Sequence, residues 1–172
     1  MTFTNSQIHV EDLPHVEDVE LKPISKAYLK IIVLNTLLVY SIIFAGLFGL
    51  KYLIKEEEFH DNFWYVFLGV LGCCILNFII ALLAFKKRKY ALRGFDVIYA
   101  KGLIVHALTT VPISRIQHVE ESRSWLARQF NLATLKIFTA GEAGSDLSIK
   151  GLPHLEAKRI NDFISSEVNG NN

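Results

Sequence analysis

The chain has 172 residues, a formal net charge of +1, 51% hydrophobic residues and a mean hydropathy of +0.31. This composition excludes a disordered chain, a collagen-like chain and a disulfide-rich secreted miniprotein, and the near-neutral charge predicts no nucleic-acid partner. The charge is unevenly distributed, since residues 1–28 carry a net charge of −3 and residues 86–172 carry +5.

Two long stretches lack charged side chains altogether. Residues 31–50 and 63–85 contain no ionisable acid or base over 20 and 23 positions. At about 1.5 Å rise per residue, each helix would span about 30–35 Å, which is the thickness of the hydrocarbon core of a bilayer. A buried helix of a soluble protein rarely runs so long without a charge. The sequence therefore predicts a transmembrane hairpin at 29–85, with helices at about 30–50 and 63–85 and a short outer loop at 51–62.

Basic residues flank this hairpin and predict its orientation. Lysines precede the first helix, the loop carries a net charge of −2, and a basic run follows the second helix. The predicted topogenic, membrane-surface residues are Lys86, Lys87, Arg88, Lys89 and Arg93. Positive-inside counting predicts a multi-pass protein of the bacterial cytoplasmic (inner) membrane with both termini in the cytoplasm. A second interpretation adds binding of anionic lipids to this run, extended by Lys101, Arg115, Arg123 and Arg128.

Small and polar residues inside the two spans predict helix packing. The residues concerned are Asn35, Gly46, Gly49, Gly69, Gly72 and Asn77. Small residues allow helices to approach closely, and the two asparagines could form hydrogen bonds across the pair or across a dimer. Tyr40 falls in the middle of its span, so we expect it between the helices. The adjacent Cys73 and Cys74 are interpreted as small residues that face lipid or a helix.

Residues 86–169 predict a small cytoplasmic α+β domain. A hairpin is expected at 97–106 with its turn at Gly102, and further strands at 109–111, 115–121, 133–139 and 146–149. A short helix is expected at 122–130, with Ser122 as its cap and Trp125 on its apolar side. A final amphipathic helix begins at Pro153, and its apolar face is Ala157, Ile160, Ile164 and Val168. Six or seven short strands closed by one helix favour a twisted sheet or a partly open barrel.

Four segments of this domain resemble one known family. They are Gly102-Leu-Ile-Val, the run from Val111 to Val119, the run from Leu126 to Leu135, and Ile137-Phe-Thr-Ala-Gly141. In this order behind a helical hairpin, they resemble the bacterial pleckstrin-homology-like (PH-like) family of the YdbS type over about residues 20–168. The family usually carries Gly where this chain has Asn131. Asn is the next-best residue for a left-handed position after a helix, so the same turn is expected.

The resemblance implies a fold and a class of function. The expected fold is a membrane protein in which a two-helix transmembrane hairpin precedes a split PH-like barrel of seven strands with a C-terminal capping helix. Members of the family are membrane-associated binding or assembly modules, and some accompany a larger protein with several such domains. A role in envelope stress or in resistance to membrane-active peptides has been suggested for them.

The sequence shows no motif for catalysis, cofactor binding or phosphate binding. No catalytic residue, cofactor or metal is therefore predicted. His118, Glu120, Glu121 and a neighbouring His106 are interpreted as strand residues rather than metal ligands. The candidate fold or partner contacts are Arg115, Gln117, Trp125 and Arg128. Arg115 and Gln117 would project to one side of a strand, either in a hydrogen-bonding role that fixes the fold or in contact with a ligand.

The first 28 residues predict a flexible acidic tail in the cytoplasm. Within it, His9-Val-Glu-Asp12 is repeated as His15-Val-Glu-Asp18. The opposite charges of tail and domain suggest the hypothesis that the tail folds back on the domain and autoinhibits it.

Three functions follow from these observations. The first is a non-enzymatic, membrane-anchored interaction and assembly module in an envelope-related complex. Its expected partners are membrane lipids and a membrane protein, either a multi-PH-domain relative or a second copy of the chain. The alternative is an accessory subunit of a transport or export complex that packs through its transmembrane helices. The third interpretation is an envelope enzyme.

Overall fold

The computed structural model describes residues 19–103, 105–140 and 147–170. Two long helices, α1 (Ala27–Leu53) and α2 (Glu57–Lys86), pack against each other as a hairpin. Both are long and apolar enough to cross a membrane. Of the predicted acidic tail at 1–28, residues 1–18, which include the repeat, lie outside the described residues, and with them most of the autoinhibition hypothesis.

Both helices extend beyond the uncharged runs. The connection between them is residues 54–56, whereas the sequence predicted a loop over 51–62. The charged flanks are helical because Lys and Glu are good helix formers. In addition, the Lys51 ammonium lies 4.4 Å from the ring centroid of Phe63 and 5.0 Å from that of Trp64, so it packs across to the start of α2.

Within the described ranges, seven strands form two antiparallel sheets. The first sheet has the order β1 (Lys22–Pro23), β2 (Lys89–Leu92), β3 (Asp96–Lys101) and β4 (Ala107–Pro112). The second has the order β5 (Ile116–Ser122), β6 (Leu132–Thr139) and β7 (Leu147–Pro153). A short helix, α3 (Trp125–Gln129), connects β5 to β6, and the C-terminal α4 (His154–Gly170) covers the second sheet. The predicted split barrel with a capping helix is confirmed.

The helical hairpin is an insertion between the first two strands of the barrel. Lys22 of β1 pairs with Tyr90 of β2, and Pro23 pairs with Lys89, although the partners lie 68 and 66 positions apart in sequence. Ile24 follows β1 and is only 3% exposed in the core. The sequence interpretation placed residues 22–24 in the flexible tail, and this is corrected. A two-residue strand is too short to show the alternation by which strands are recognised.

The core lies between the two sheets and α4. Leu135, Ile137, Ile149 and Leu152 are 0–1% exposed, and they come from β6 and β7. From α4, the predicted face is confirmed: Ala157, Ile160 and Ile164 are buried, and Val168 packs at the edge. This spacing of three or four residues keeps the buried side chains on one side of the helix.

Gly151 allows the first turn of α1 to approach β7 closely. Its φ of +83° is unfavourable for other residues, and a Cβ there would lie 2.6 Å from Cγ of Tyr28. The amide of Ser25 donates a hydrogen bond of 3.0 Å to the carbonyl of Gly151. The barrel and the start of the hairpin are therefore in direct contact.

Four local predictions differ from the structure. The second strand of the first predicted hairpin begins at Ala107 rather than Leu103, so the connection that starts at Gly102 (φ +106°) is longer than the predicted tight turn. Arg115 ends a 3-10 turn (Ile113–Arg115) instead of lying on a strand. The strand expected at 146–149 continues to Pro153. Ser124 is the cap of α3, since its hydroxyl accepts the Ala127 amide at 3.2 Å.

Candidate interaction surfaces

The basic residues at the end of α2 do not form one uniformly exposed patch. Lys86, Lys87 and Lys89 are exposed, whereas Arg88 is half-buried with its guanidinium 6.0 Å from the ring centroid of Tyr28. Arg93 is occupied by Asp96, with Nε donating to Oδ1 at 2.6 Å. Arg93 is therefore neutralised locally, and Arg88 lies beside the Tyr28 ring in the first turn of α1.

A cavity of about 540 Å³ lies where α2, the β3–β4 connection and β7 meet. It is lined by Ala84, Arg88, Tyr99, Lys101, Gly102, Val105, Ala107, Ser148 and Lys150. We call this the junction cavity. Its volume falls within the range of small-ligand sites.

The junction cavity is strongly cationic. Arg88, Lys101 and Lys150 line it, and no Asp or Glu is among its described lining residues. Within the described part of the chain, none of these three cations forms an ion pair, in contrast to Lys22, Arg93 and Lys136. Burial raises the pKa of the Tyr99 hydroxyl, and the nearby Arg88 guanidinium opposes part of that rise. The cavity thus combines three cations with one neutral phenol and the Ser148 hydroxyl.

A second concave surface, the hairpin groove, runs between α1 and α2 with a volume of about 590 Å³. Its lining residues are Val39, Tyr40, Ile43, Val66, Gly69, Val70, Cys73, Cys74 and Asn77. The Tyr40 hydroxyl donates to the Cys74 carbonyl at 2.7 Å and lies 2.9 Å from Asn77 Oδ1. Tyr40 therefore lies between the helices, as its mid-span position suggested. The structure brings Asn77 to Tyr40, while Asn35 lies exposed on α1.

The glycines do not carry the packing between α1 and α2. A methyl group added at Gly46, Gly49, Gly69 or Gly72 would meet no atom of the facing helix within 4 Å, so none of the four packs against it. Phenylalanines pack the hairpin instead: ring centroids lie 5.4 Å apart for Phe44 and Phe67 and 5.7 Å apart for Phe48 and Phe63. The sequence signal for this contact is the i, i+4 spacing of Phe44 with Phe48 and of Phe63 with Phe67, which the sequence reasoning missed.

The four candidate contact residues do not converge on one site. Arg115 and Gln117 are both exposed, so the pair is not buried, and a hydrogen-bonding role at a sheet edge or a ligand contact stays a prediction. Trp125 is 67% exposed, and the apolar side of α3 is formed by Leu126, Ala127 and Phe130, which pack toward α1 and β6. Arg128 is exposed on α3. In this position Trp125 and Arg128 are available to a partner rather than to the core.

The histidine and acidic residues of β5 have separate partners. The His118 ring stacks on Phe138 with centroids 4.2 Å apart, Glu120 contacts Lys136 at 3.3 Å, and Glu121 lies 2.7 Å from His154 Nδ1. Among the described residues, no group of three or more His, Cys, Asp or Glu could hold a metal ion.

Comparisons with known proteins agree with this architecture. A family model described as bacterial PH domain matches residues 29–168. The UPF0699 transmembrane protein YdbS of Bacillus subtilis (strain 168) is 34% identical over 116 residues, which cover 65% of this chain and 71% of that protein. No solved structure matches the chain. The relative is called a transmembrane protein, and with the two long apolar helices this supports a membrane location.

Proposed function

Because this chain belongs to the bacterial PH domain family, we propose that it is a membrane-anchored, non-enzymatic module that assembles with a membrane protein or with a second copy of itself. The observation that carries this proposal is the insertion of the hairpin between β1 and β2. Because the hairpin that would anchor the protein is inserted between two strands of the barrel, the domain is held next to the membrane surface. Two spans hold a protein in a bilayer far more firmly than a lipid-binding site could, so the domain is free to recognise proteins.

The surface of the barrel supports recognition of a protein. Phe95 is 90% exposed and Trp125 is 67% exposed, and large aromatic side chains are enriched at protein interfaces. β4 is an edge strand of the first sheet, and an extended segment of a partner can pair with such an edge. The partner we favour is a multi-PH-domain membrane protein or a second copy of this chain, in an envelope-related complex of the bacterial inner membrane.

The hairpin groove favours a second candidate function, an accessory subunit of a transport or export complex. The Tyr40 hydroxyl has a single hydrogen, which it donates to the Cys74 carbonyl, so Asn77 has at least one amide hydrogen available at the groove. A polar donor at membrane depth is satisfied best by an acceptor on a neighbouring helix. Gly69 in the same groove leaves space for that helix to approach.

Copurification in mild detergent tests both candidates. The full chain is isolated by an affinity tag, and its partners are identified by mass spectrometry. Gly69→Leu fills the hairpin groove, and Gly49→Leu is the matched control because it makes the same change at an equally open glycine outside the groove.

A multi-PH-domain partner or a discrete homo-oligomer that survives Gly69→Leu supports the assembly module. A multi-helix transporter that is lost with Gly69→Leu and retained with Gly49→Leu supports the alternative. A monomer without a partner contradicts both.

A further inference from the structure

The junction cavity carries an excess of positive charge that no described residue neutralises. Arg88, which follows α2, lines it together with Lys101 of β3 and Lys150 of β7. Lys22, Arg93 and Lys136 are paired with Glu156, Asp96 and Glu120, whereas the three cations of the cavity have no ion pair in the described part of the chain. Like charges brought together without a counterion repel one another, so their convergence points to an anionic ligand.

The donor set suits a phosphate group. Guanidinium and ammonium groups form charge-assisted hydrogen bonds to phosphate oxygens, and the Ser148 hydroxyl adds a neutral donor. Arg88 is half-buried and lies against the Tyr28 ring, so less side-chain freedom is lost when it binds.

The position of the cavity favours a lipid as the source of that phosphate. Ala84 and Arg88 line the cavity at the end of α2, where the apolar run stops and the basic run begins, which is the depth of the headgroups if α2 spans the bilayer. Val105 lines the same cavity and is 76% exposed, so an apolar contact lies beside the cations. Three cations also disfavour a zwitterionic headgroup, because its own ammonium would be repelled.

We infer that the junction cavity binds the phosphate-bearing headgroup of an anionic phospholipid from the adjoining leaflet. Arg88, Lys101 and Lys150 hold the phosphate, and the apolar side of the cavity contacts the glycerol region. The inference does not depend on the assembly proposed above, because the cavity lies within one copy of the chain.

Titration of the detergent-solubilised full chain with short-chain lipids tests the site. The probes are dihexanoyl phosphatidylglycerol, dihexanoyl phosphatidylcholine and inorganic phosphate, and native mass spectrometry counts the bound molecules. The variant is Lys101→Gln with Lys150→Gln, which leaves the basic run after α2 intact. Lys158→Gln is the matched control, since Lys158 is exposed on α4, outside the cavity and without an ion pair in the described part of the chain. Ser148→Phe fills the cavity without a change of charge, and thermal unfolding shows that each variant folds.

The wild type is expected to bind phosphatidylglycerol in preference to phosphatidylcholine. A loss of about 1 kcal/mol for each lysine near a charged surface corresponds to about 30-fold weaker binding for the double variant. Ser148→Phe should weaken binding similarly, and Lys158→Gln should leave it unchanged. Equal weakening by Lys158→Gln, or full binding by Ser148→Phe, would overturn the cavity as the site. Binding of inorganic phosphate as tight as that of phosphatidylglycerol would overturn the lipid as the ligand.

Discussion

At the scale of single residues, Glu156 connects three elements of the barrel. Its Oε1 accepts hydrogen bonds of 2.6 Å from the Lys22 ammonium of β1 and from the Tyr90 hydroxyl of β2, while Glu156 itself lies on α4. Partial burial acts to raise the pKa of Glu156, but the hydrogen bonds from Lys22 and Tyr90 outweigh it and hold the pKa below its ordinary value. Burial, and after it the hydrogen bond to Glu156, raises the pKa of Tyr90. The charged form of Glu156 is thus the form that the fold stabilises.

This carboxylate predicts a pH dependence of stability. A carboxyl whose pKa is lowered by folding contributes stability above its ordinary pKa of 4.5 and loses it as the pH falls through the lower value of the folded state. Glu156→Gln should therefore cost about 1 kcal/mol of unfolding free energy at pH 7, and the difference from wild type should vanish progressively below about pH 4.5. Denaturant unfolding of both proteins in detergent, repeated at several pH values, measures this difference in unfolding free energy. Glu167→Gln, at an exposed glutamate of the same helix, is the control. A difference that stays constant from pH 7 to pH 3 would refute the role of the Glu156 charge.

At the scale of secondary-structure elements, β1 joins the segment before the hairpin to the barrel. Ile24 is 3% exposed and belongs to the same core as Leu135 and Ile164. Ile24→Ala should lower the unfolding free energy of the barrel by about 2–4 kcal/mol, because it removes buried methyl groups and leaves a cavity. Leu155→Ala is the control, since Leu155 is 71% exposed. Equal unfolding curves for Ile24→Ala and Leu155→Ala would show that the segment before the hairpin does not stabilise the barrel.

Elements with a strong local signal could be predicted from the sequence. The apolar spacing of α4 indicated Ala157, Ile160 and Ile164, all of which are buried. Asn131 was expected in the left-handed region because it follows a short helix, and its φ of 52° confirms this. The pairing of β1 with β2 could not be predicted, because two residues carry no periodicity and their partners lie beyond two helices.

The candidate sites were harder to predict than the fold, because a site depends on which side chains meet. The sequence pattern placed Arg88 in the basic run and allowed Lys101 as an extension of it, but nothing in the pattern indicated that Lys150 lines the same cavity. The sequence pattern also predicted helix packing at glycines that do not contact the facing helix in the structure. A small residue shows where some helix can approach, but it does not show which helix approaches there. Which side chains meet depends on the pairing of strands and the packing of helices that are far apart in sequence, and a local sequence pattern does not contain that information.

At the scale of the whole molecule, the barrel constrains the orientation of the hairpin. Since β1 precedes α1 and pairs with β2 directly after α2, both flanks of the hairpin lie on the side of the barrel. The basic flanks then predict that this side is the cytoplasm, because Lys and Arg next to a span are retained there. The connection at residues 54–56, followed by Glu57 and Glu58, should face the exterior.

Cysteine labelling tests this orientation in a chain whose own Cys73 and Cys74 are replaced by Ala. Single cysteines are introduced as Glu57→Cys beside the helix connection and as Lys158→Cys on α4, both at exposed positions. A membrane-impermeant maleimide added to right-side-out vesicles should label Glu57→Cys at once and Lys158→Cys only after the membrane is permeabilised. The opposite pattern would invert the orientation. Labelling of both positions before permeabilisation would mean that the hairpin does not cross the bilayer, so the headgroup site inferred for the junction cavity would then need another explanation.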